Sequence, residues 1–290
     1  MNEQHAERMK YITSVFLYGT AGMFLRQVSL PSEIVAMCNG LLGTLVILTY
    51  MRMKRKPFHR EAIRRNAGLL LASGALLGLN WVFLYAAYVT TTVAIASLCN
   101  YTAPLIVVLL APLVLKEKQS AKKLFCVLLA FLGILMVSGV FTGADTNLTG
   151  VLYGLLAAVS FAAFVFCNRK MEQMPALERA VIQLFVSAMT ILPYVLYKNL
   201  RQEIRPDARS LLVILIMGTL HTGIAYCLYF SGMEKLPIQT VAILGYLEPV
   251  TAVFCSAVFL KEPMTLAGWA GAALVILAAV LSEMHPTIRR

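Results

Sequence analysis

The stretch Asn100-Tyr101-Thr102-Ala103-Pro104, which leads through apolar residues to Lys116-Glu117, decides the fold of this chain because it occurs twice. Pro249 and Lys261-Glu262 repeat Pro104 and Lys116-Glu117 145 residues later, which is half of the 290-residue chain. Only apolar and small residues separate each proline from its Lys-Glu pair. A half-length duplication of uncharged segments interrupted by proline is typical of proteins built from two membrane-embedded repeats.

The composition requires lipid as the solvent for much of the chain. Hydrophobic residues make up 59% of the sequence and charged residues 13%, which lies outside the usual mix for a soluble domain. The net charge of +11 is spread in short basic runs between apolar segments, so we expect no nucleic-acid partner. All six cysteines lie in apolar segments without a C-x-x-C or Cys/His cluster, so we expect no metal, disulfide framework or cofactor.

Apolar runs of spanning length recur ten times, with short connections that leave no room for a separate soluble domain. We place them near Tyr11–Val28, Ser32–Met51, Ala67–Tyr88, Thr92–Leu115, Leu124–Phe141, Thr149–Asn168, Ala180–Tyr197, Leu211–Gly232, Pro237–Leu260 and Leu266–Ser282.

The distribution of basic residues predicts the orientation. Nineteen of the twenty-five Lys and Arg residues fall on the side that holds both termini, so the positive-inside rule places the termini in the cytoplasm. The loop Lys198–Arg209 runs against the rule. Five helices per half is an odd number, so the halves enter the membrane from opposite sides. The predicted fold is therefore an all-α membrane protein with ten helices in a 5+5 inverted repeat, residues 1–145 and 146–290.

The duplication extends beyond the opening stretch. Gly74 matches Gly218, and Leu84-Tyr85 matches Leu228-Tyr229, both 144 residues apart. Similarity between the first two helices of the two halves is weak.

The pattern resembles two EamA-type domains of the drug/metabolite transporter superfamily, covering essentially the whole chain. The residues that carry the resemblance are Tyr101-Thr102-Ala103-Pro104 with Lys116-Glu117, and Tyr246-Leu247-Glu248-Pro249 with Lys261-Glu262. The resemblance implies a helix bundle around a central cavity that opens alternately to each side. It also implies a small-molecule cargo such as a metabolite, an amino acid or a drug-like solute, with export favoured.

Two ionisable residues lie near the middle of predicted spans, where charge is costly: Glu248 and His221. Glu248 is a candidate site for proton coupling or cation binding. Alternatively, it is a protonated or hydrogen-bonded carboxyl beside backbone groups freed by Pro249. His221 either lines the cavity or hydrogen-bonds to a neighbouring helix, and a pair between His221 and Glu248 is conceivable. Pro104 and Pro249 are predicted to kink their helices.

Aromatic residues at helical spacing predict a cavity wall for an organic solute. Trp81, Tyr85 and Tyr88 share one face of the third span, and Tyr226 and Tyr229 share a face of the eighth. The alternative is an interfacial aromatic belt, to which we assign Tyr88 because it lies at a helix end.

Three further polar residues fall in or at the ends of predicted spans. Asn80 and Asn100 either contact the substrate or hydrogen-bond between helices. Arg26, at the outer end of the first span, attracts anionic cargo or extends to the lipid headgroups.

These features predict a secondary transporter of a small organic solute in the cell membrane, with protons as the candidate coupling ion. No Walker A sequence is present, and the four dispersed histidines do not form a catalytic cluster, so we do not expect an enzyme. A passive channel or a membrane-embedded protein without transport activity are the alternatives.

Overall fold

The computed structural model describes residues 3–115, 121–137, 147–199, 206–236, 244–245 and 247–283. These residues contain helices and no strand. The α-helices are, in chain order, α1 (Glu3–Leu25), α2 (Ser32–Met53), α3 (Arg60–Arg65), α4 (Ala67–Thr90), α5 (Val93–Asn100), α6 (Ala103–Leu115), α7 (Ala121–Val137), α8 (Leu148–Lys170), α9 (Ala176–Asn199), α10 (Ala208–Ile216), α11 (Ala225–Lys235), α12 (Leu247–Val258) and α13 (Leu266–Glu283). A π-helix, Met217–Ile224, joins α10 to α11.

The predicted all-helical membrane protein is confirmed. Six segments of the described chain are long and apolar enough to cross a membrane, and shorter apolar helices accompany them. The six are Ser32–Met53, Ala67–Thr90, Val93–Val114, Leu148–Lys170, Ala176–Lys198 and Ala208–Gly232. The predicted fifth, ninth and tenth spans contain the shorter apolar helices Leu128–Val137, Leu247–Val258 and Leu266–Ala278.

The predicted fourth span is not one continuous helix. It divides into α5 and α6 at a turn formed by Tyr101 and Thr102. Pro104 occupies the first turn of α6, and Pro249 occupies the first turn of α12. Proline is tolerated in the first turn because the backbone N–H that it lacks has no intrahelical partner there. Lys116-Glu117 and Tyr246 lie outside the described residues.

Helices of the first half have counterparts in the second half, and most of the extensive contacts between helices recur between their counterparts. The contact of α4 with α8 corresponds to that of α11 with α1, and the contact of α4 with α9 corresponds to that of the π-helix with α2. The contacts of α5 and α6 with α8 correspond to that of α12 with α1. The contacts of α2 with α9, α5 with α12 and α7 with α13 each map onto themselves, whereas the contact of α2 with α4 is more extensive than its counterpart, that of α9 with α11.

Small residues show the same correspondence at atomic detail. A Cβ added to Gly74 would lie 2.5 Å from Val186 Cβ, and one added to Gly218 would lie 2.5 Å from Leu42 Cβ. Gly218 follows Gly74, and Val186 follows Leu42, by 144 residues in each case. The packing thus aligns the second helices of the two halves, where the sequence similarity is weak. Close approach at small residues is how membrane helices gain van der Waals contact.

The helices α7 and α13 pack through two glycines that face each other. A Cβ added to Gly271 would lie 2.5 Å from the Gly133 carbonyl oxygen, and one added to Gly133 would lie 2.7 Å from the Gly271 carbonyl oxygen. Cys126 and Ala278 are buried together in the same helix pair. This pair has few contacts with the other helices, so the remaining helices position the candidate site.

Candidate functional site

Glu248 lies in the first turn of α12, one residue before Pro249. Its side chain is half-buried. The Tyr101 hydroxyl donates to the Gly245 carbonyl at 2.5 Å and lies 3.5 Å from Glu248 Oε2. Tyr101 belongs to the first copy of the repeated stretch and Glu248 to the second, so the two copies meet at this carboxylate.

Four tyrosines from α1 and α11 form a wall beside Glu248. The ring centroids of Tyr11 and Tyr229 are 5.1 Å apart, those of Tyr229 and Tyr18 are 6.0 Å apart, and those of Tyr18 and Tyr226 are 5.9 Å apart. All four phenol groups lie close enough to Glu248 to interact with it electrostatically. We call these four residues the tyrosine wall.

Sequence reasoning identified only half of the tyrosine wall. Tyr226 and Tyr229 were predicted as cavity residues, whereas Tyr11 and Tyr18 were not. The signal for the missing pair was their spacing of seven residues, which places them on one face of α1.

A second aromatic group lies on α4. The Trp81 and Tyr85 rings are stacked at 6.4 Å, and Tyr85 stacks on Tyr88 at 6.2 Å. The Tyr88 side chain is buried, and its hydroxyl lies 3.3 Å from Ser97 Oγ, so its assignment to an interfacial belt is wrong. Its position at a helix end did not reveal that it faces neighbouring helices.

Asn39, on α2, was not predicted from the sequence. Its Nδ2 donates to the Tyr85 hydroxyl at 2.8 Å. Its Oδ1 is buried and has no hydrogen-bond partner among the described residues. The Asn39 side chain therefore retains an unused acceptor next to the aromatic residues of α4.

The two aromatic groups approach each other at Tyr226 and Tyr85. Tyr226 is close enough to Tyr85 for an electrostatic interaction, and Trp81 and Tyr226 pack against the same apolar cluster, which includes Leu184. The structure thus brings Tyr226 and Tyr229 close to Glu248, and it brings Tyr85, with Trp81 stacked on it, close to Tyr226. Their role in binding a substrate stays a prediction.

Asn80 and Asn100 are hydrogen-bonded to each other. Asn80 Nδ2 donates to Asn100 Oδ1 at 3.0 Å and to the Ala157 carbonyl at 2.9 Å, which links α4, α5 and α8. The sequence left open whether these amides bridge helices or contact the substrate. The structure provides the bridge, and Asn100 also precedes Tyr101 in the chain.

His221 lies in the π-helix and contacts α1. Its Nε2 is 3.0 Å from Thr20 Oγ1, and its ring centroid is 4.7 Å from that of Phe24. Its Nδ1 is buried, and the Ile216 carbonyl that faces it is outside normal hydrogen-bond geometry. No hydrogen bond between His221 and Glu248 occurs within the described part of the chain.

The second Lys-Glu pair forms a cluster at the predicted outer end of the bundle. One carboxylate oxygen of Glu262 accepts a hydrogen bond from Arg26 Nη2 at 2.9 Å. The other accepts from the Val93 N–H at 2.8 Å and from the Ser256 hydroxyl. Arg26 also donates to a backbone carbonyl after α4. It therefore holds helix ends together, whereas the sequence suggested contact with anionic cargo or headgroups.

Lys261 has a different role from Glu262. Its side chain is exposed and its backbone φ is +53°, in the left-handed region. The Leu260 N–H donates to the Cys255 carbonyl and the Glu262 N–H to the Ser256 carbonyl, so the chain reverses at the end of α12. Lys261 shapes the turn that directs Glu262 back into the bundle.

A separate groove lies between α2 and the π-helix. It has a volume of about 380 Å³ and is lined by Leu42, Leu45, Val46, Thr49, Tyr50, Met53 and Thr219. Several of these apolar side chains are exposed, as expected for a lipid-facing surface. Within the described ranges, no group of His, Cys, Asp and Glu residues has the arrangement of a metal site.

Comparison with known proteins gives one family. The model of the EamA-like transporter family matches residues 9–139 and 148–284. The chain is 25% identical to the uncharacterized transporter YxxF of Bacillus subtilis over 87% of this chain and 81% of that protein. It is 24% identical to protein RarD of Streptomyces exfoliatus over 97% of this chain and 89% of that protein.

Two further likenesses agree with this result. Protein PecM of Dickeya dadantii is 27% identical over 74% of this chain and 73% of that protein. A crystal structure of another protein superposes with a TM-score of 0.67 and 18% identity, over 95% of this chain and 96% of that one. At this identity, the superposition shows a shared fold alone.

Proposed function

The chain belongs to the EamA-like transporter family of membrane proteins, and we propose that it is a secondary transporter that moves a small organic solute by alternating access. The observation that carries the proposal is Glu248: a half-buried carboxylate between apolar helices, with the tyrosine wall and the Tyr101 hydroxyl close to it. A carboxyl group inside a membrane protein is costly to keep, and in transporters such groups mark substrate and ion pathways.

The proposed architecture is ten membrane helices in two inverted repeats, residues 1–145 and 146–290. Two observations support it. Most of the extensive contacts between helices recur between their counterparts in the other half, and the pairs Gly74–Val186 and Gly218–Leu42 pack in the same way. In such an architecture one arrangement of the halves is open inward and its counterpart is open outward, around a site between the repeats. The tyrosine wall and Glu248 occupy that position, because α1 and α11 come from different halves.

The proposed orientation follows from the basic residues. Both termini and α3 lie in the cytoplasm, and the cluster around Glu262 lies outside. The direction of transport is proposed as export, in line with the family resemblance. Glu248 is the proposed coupling residue, which binds a proton in part of the transport cycle.

The test begins with the solute. Metabolites released by cells that produce the protein are compared with those released by cells producing Glu248→Gln. A released solute is then loaded into proteoliposomes. We expect the wild type to accumulate it when a proton gradient is applied and Glu248→Gln to fail. The matched control is Glu61→Gln, which removes an exposed carboxylate of α3 and should transport normally.

Two results would contradict the proposal at different points. Accumulation by Glu248→Gln at the wild-type rate and with the same pH dependence would exclude Glu248 as the coupling residue. Counterflow separates a carrier from a channel: solute inside the vesicle should speed the entry of labelled solute. If internal solute had no such effect, the protein would be a passive channel.

A further inference from the structure

We propose that the site at Glu248 and the tyrosine wall binds the ammonium group of an organic cation. The solute would then be an amine or a quaternary ammonium compound with an apolar body. This inference rests on the proposed function, because it names the substrate class of the same site. It derives from the charges and rings around Glu248.

The balance of charge at the site is negative. The described basic residues on the helices that meet there lie near the helix ends: Arg8 is exposed, Lys10 is paired with Glu7 at 3.1 Å, and Arg26 is paired with Glu262 at 2.9 Å. Among the described residues, Glu248 therefore has no basic partner at its own level of the bundle. An ionised carboxylate between apolar helices needs a compensating charge, and an entering ammonium group supplies one. An anionic solute would be repelled.

The tyrosine wall suits the same ligand. Its rings are inclined to one another by 35° for Tyr11 and Tyr229, 54° for Tyr18 and Tyr229, and 77° for Tyr18 and Tyr226. Their faces therefore point in several directions and do not form one flat stack. Aromatic faces attract alkylammonium groups through their quadrupoles.

Two acceptors have unused capacity. The Glu248 carboxylate can accept more hydrogen bonds than the one from the Tyr101 hydroxyl at 3.5 Å, and Asn39 Oδ1, beside Tyr85, is a buried acceptor without a partner in the described chain. A solute that brings N–H groups matches this set, whereas a carboxylate or phosphate would bring more acceptors. Primary and secondary amines can use these acceptors, and a quaternary ammonium group relies on the rings and the charge.

The experiment is equilibrium binding of tritiated benzyltrimethylammonium to the full-length protein in zwitterionic nanodiscs. Competition is measured with the unlabelled cation, with neopentylbenzene, which replaces the charged nitrogen by carbon, and with benzenesulfonate. We expect saturable binding, with the cation competing at least about tenfold better than its neutral isostere. Equal competition by neopentylbenzene, or stronger competition by benzenesulfonate, would overturn the assignment, and this comparison needs no variant.

Variants identify the groups responsible. Tyr18→Phe keeps the aromatic face and should bind the cation within about twofold of the wild type, whereas Tyr18→Leu should bind it about tenfold more weakly. Glu248→Gln should weaken binding by about tenfold or more, and Glu61→Gln should not change it. Unchanged cation binding in folded Glu248→Gln, or equal losses in the two Tyr18 variants, would also refute the proposal.

The outcome separates this inference from the proposed function. If counterflow demonstrates transport of an anionic or neutral solute while the cation does not bind, the substrate class is wrong and the transporter stands. If the cation binds as described but no solute shows counterflow, the site is correctly assigned and the proposed transport is wrong.

Discussion

Glu262, Arg26, Val93 and Ser256 form what we call the outer cluster. Replacing Glu262 by alanine should destabilise the protein more than any other single change in this cluster. The Glu262 carboxylate is the acceptor for the Val93 N–H, the Ser256 hydroxyl and the Arg26 guanidinium. Val93 is fully buried at the start of α5, where its N–H has no partner within the helix. Glu262→Ala would leave this donor without its partner.

The magnitude follows from these three contacts. An unsatisfied buried donor costs about 1–3 kcal/mol, and a lost carboxylate at a helix N-terminus costs about 0.3–1 kcal/mol more. The Arg26 pair is partly exposed, with 32% of the arginine side chain accessible, so it contributes at most about 1 kcal/mol. We therefore expect a loss of about 2–4 kcal/mol for Glu262→Ala and no more than about 1 kcal/mol for Arg26→Ala.

The matched control is a substitution of Lys261, the other residue of the Lys261-Glu262 pair. Lys261→Gly removes a left-handed lysine whose side chain is exposed, and glycine adopts this conformation without the penalty of about 1–2 kcal/mol that a Cβ brings. Lys261→Gly should therefore be neutral or stabilising, although it destroys the Lys-Glu pair as fully as Glu262→Ala does. The contrast tests which of the two residues the structure needs.

Thermal unfolding can be followed with a thiol-reactive fluorophore, because Cys99, Cys126 and Cys255 are buried and become reactive on unfolding. At about 2 °C per kcal/mol, the apparent Tm should fall by about 4–8 °C for Glu262→Ala and by no more than about 2 °C for Arg26→Ala. A larger effect of Arg26→Ala, or a loss for Lys261→Gly equal to that for Glu262→Ala, would refute the reasoning.

Three other predictions concern different parts of the bundle. In a double-mutant cycle, Asn80→Leu and Asn100→Leu should show a coupling free energy of about 0.6–1 kcal/mol, and additive losses in Tm would contradict the hydrogen bond between them. Gly271→Ala should cost about 1–3 kcal/mol because its Cβ would lie 2.5 Å from a carbonyl oxygen of α7, whereas Gly68→Ala meets nothing within 4 Å and should be tolerated. The Ser29 hydroxyl and the Ser210 N–H and hydroxyl hold the pKa of Asp207 below its usual range. A carboxyl group whose pKa is lowered by folding stabilises the folded state at pH values above its ordinary pKa. The Tm of the wild type should therefore exceed that of Asp207→Asn by the largest amount at pH 7, and this difference should shrink below about pH 4. An undiminished difference at pH 2 would exclude this cause.

The helical class and the repeat could be predicted from the sequence because both leave direct signals. Long apolar runs indicate membrane helices, and the matched positions Pro104 and Pro249 define the register of the second part of each half. The register of the first part could not be found in this way. Apolar side chains of different shape can pack against a glycine, so Leu42 and Val186 correspond in the packing although their identities differ.

The candidate site was predictable only where polarity is unusual. Glu248 and His221 stood out as ionisable residues in apolar segments, but the π-helix around His221 left no signal in the residue types. Tyr88 was assigned to the wrong environment because sequence position shows depth in the membrane better than the direction of a side chain. The pairing of Arg26 with Glu262 joins residues 236 positions apart, which no local pattern reveals.

The outer cluster and the tyrosine wall are connected by the same helices. Glu262 joins the end of α1, through Arg26, to the start of α5, through Val93, and it follows directly from α12. These helices carry Tyr18, the turn with Tyr101, and Glu248 to the site. In the proposed alternating-access cycle, opening this end of the bundle would separate the Glu262 contacts and move the tyrosines relative to the carboxylate. The two repeats would supply that motion together, whereas Glu248, which corresponds to Ala103 in the first half, supplies a charge to one half only.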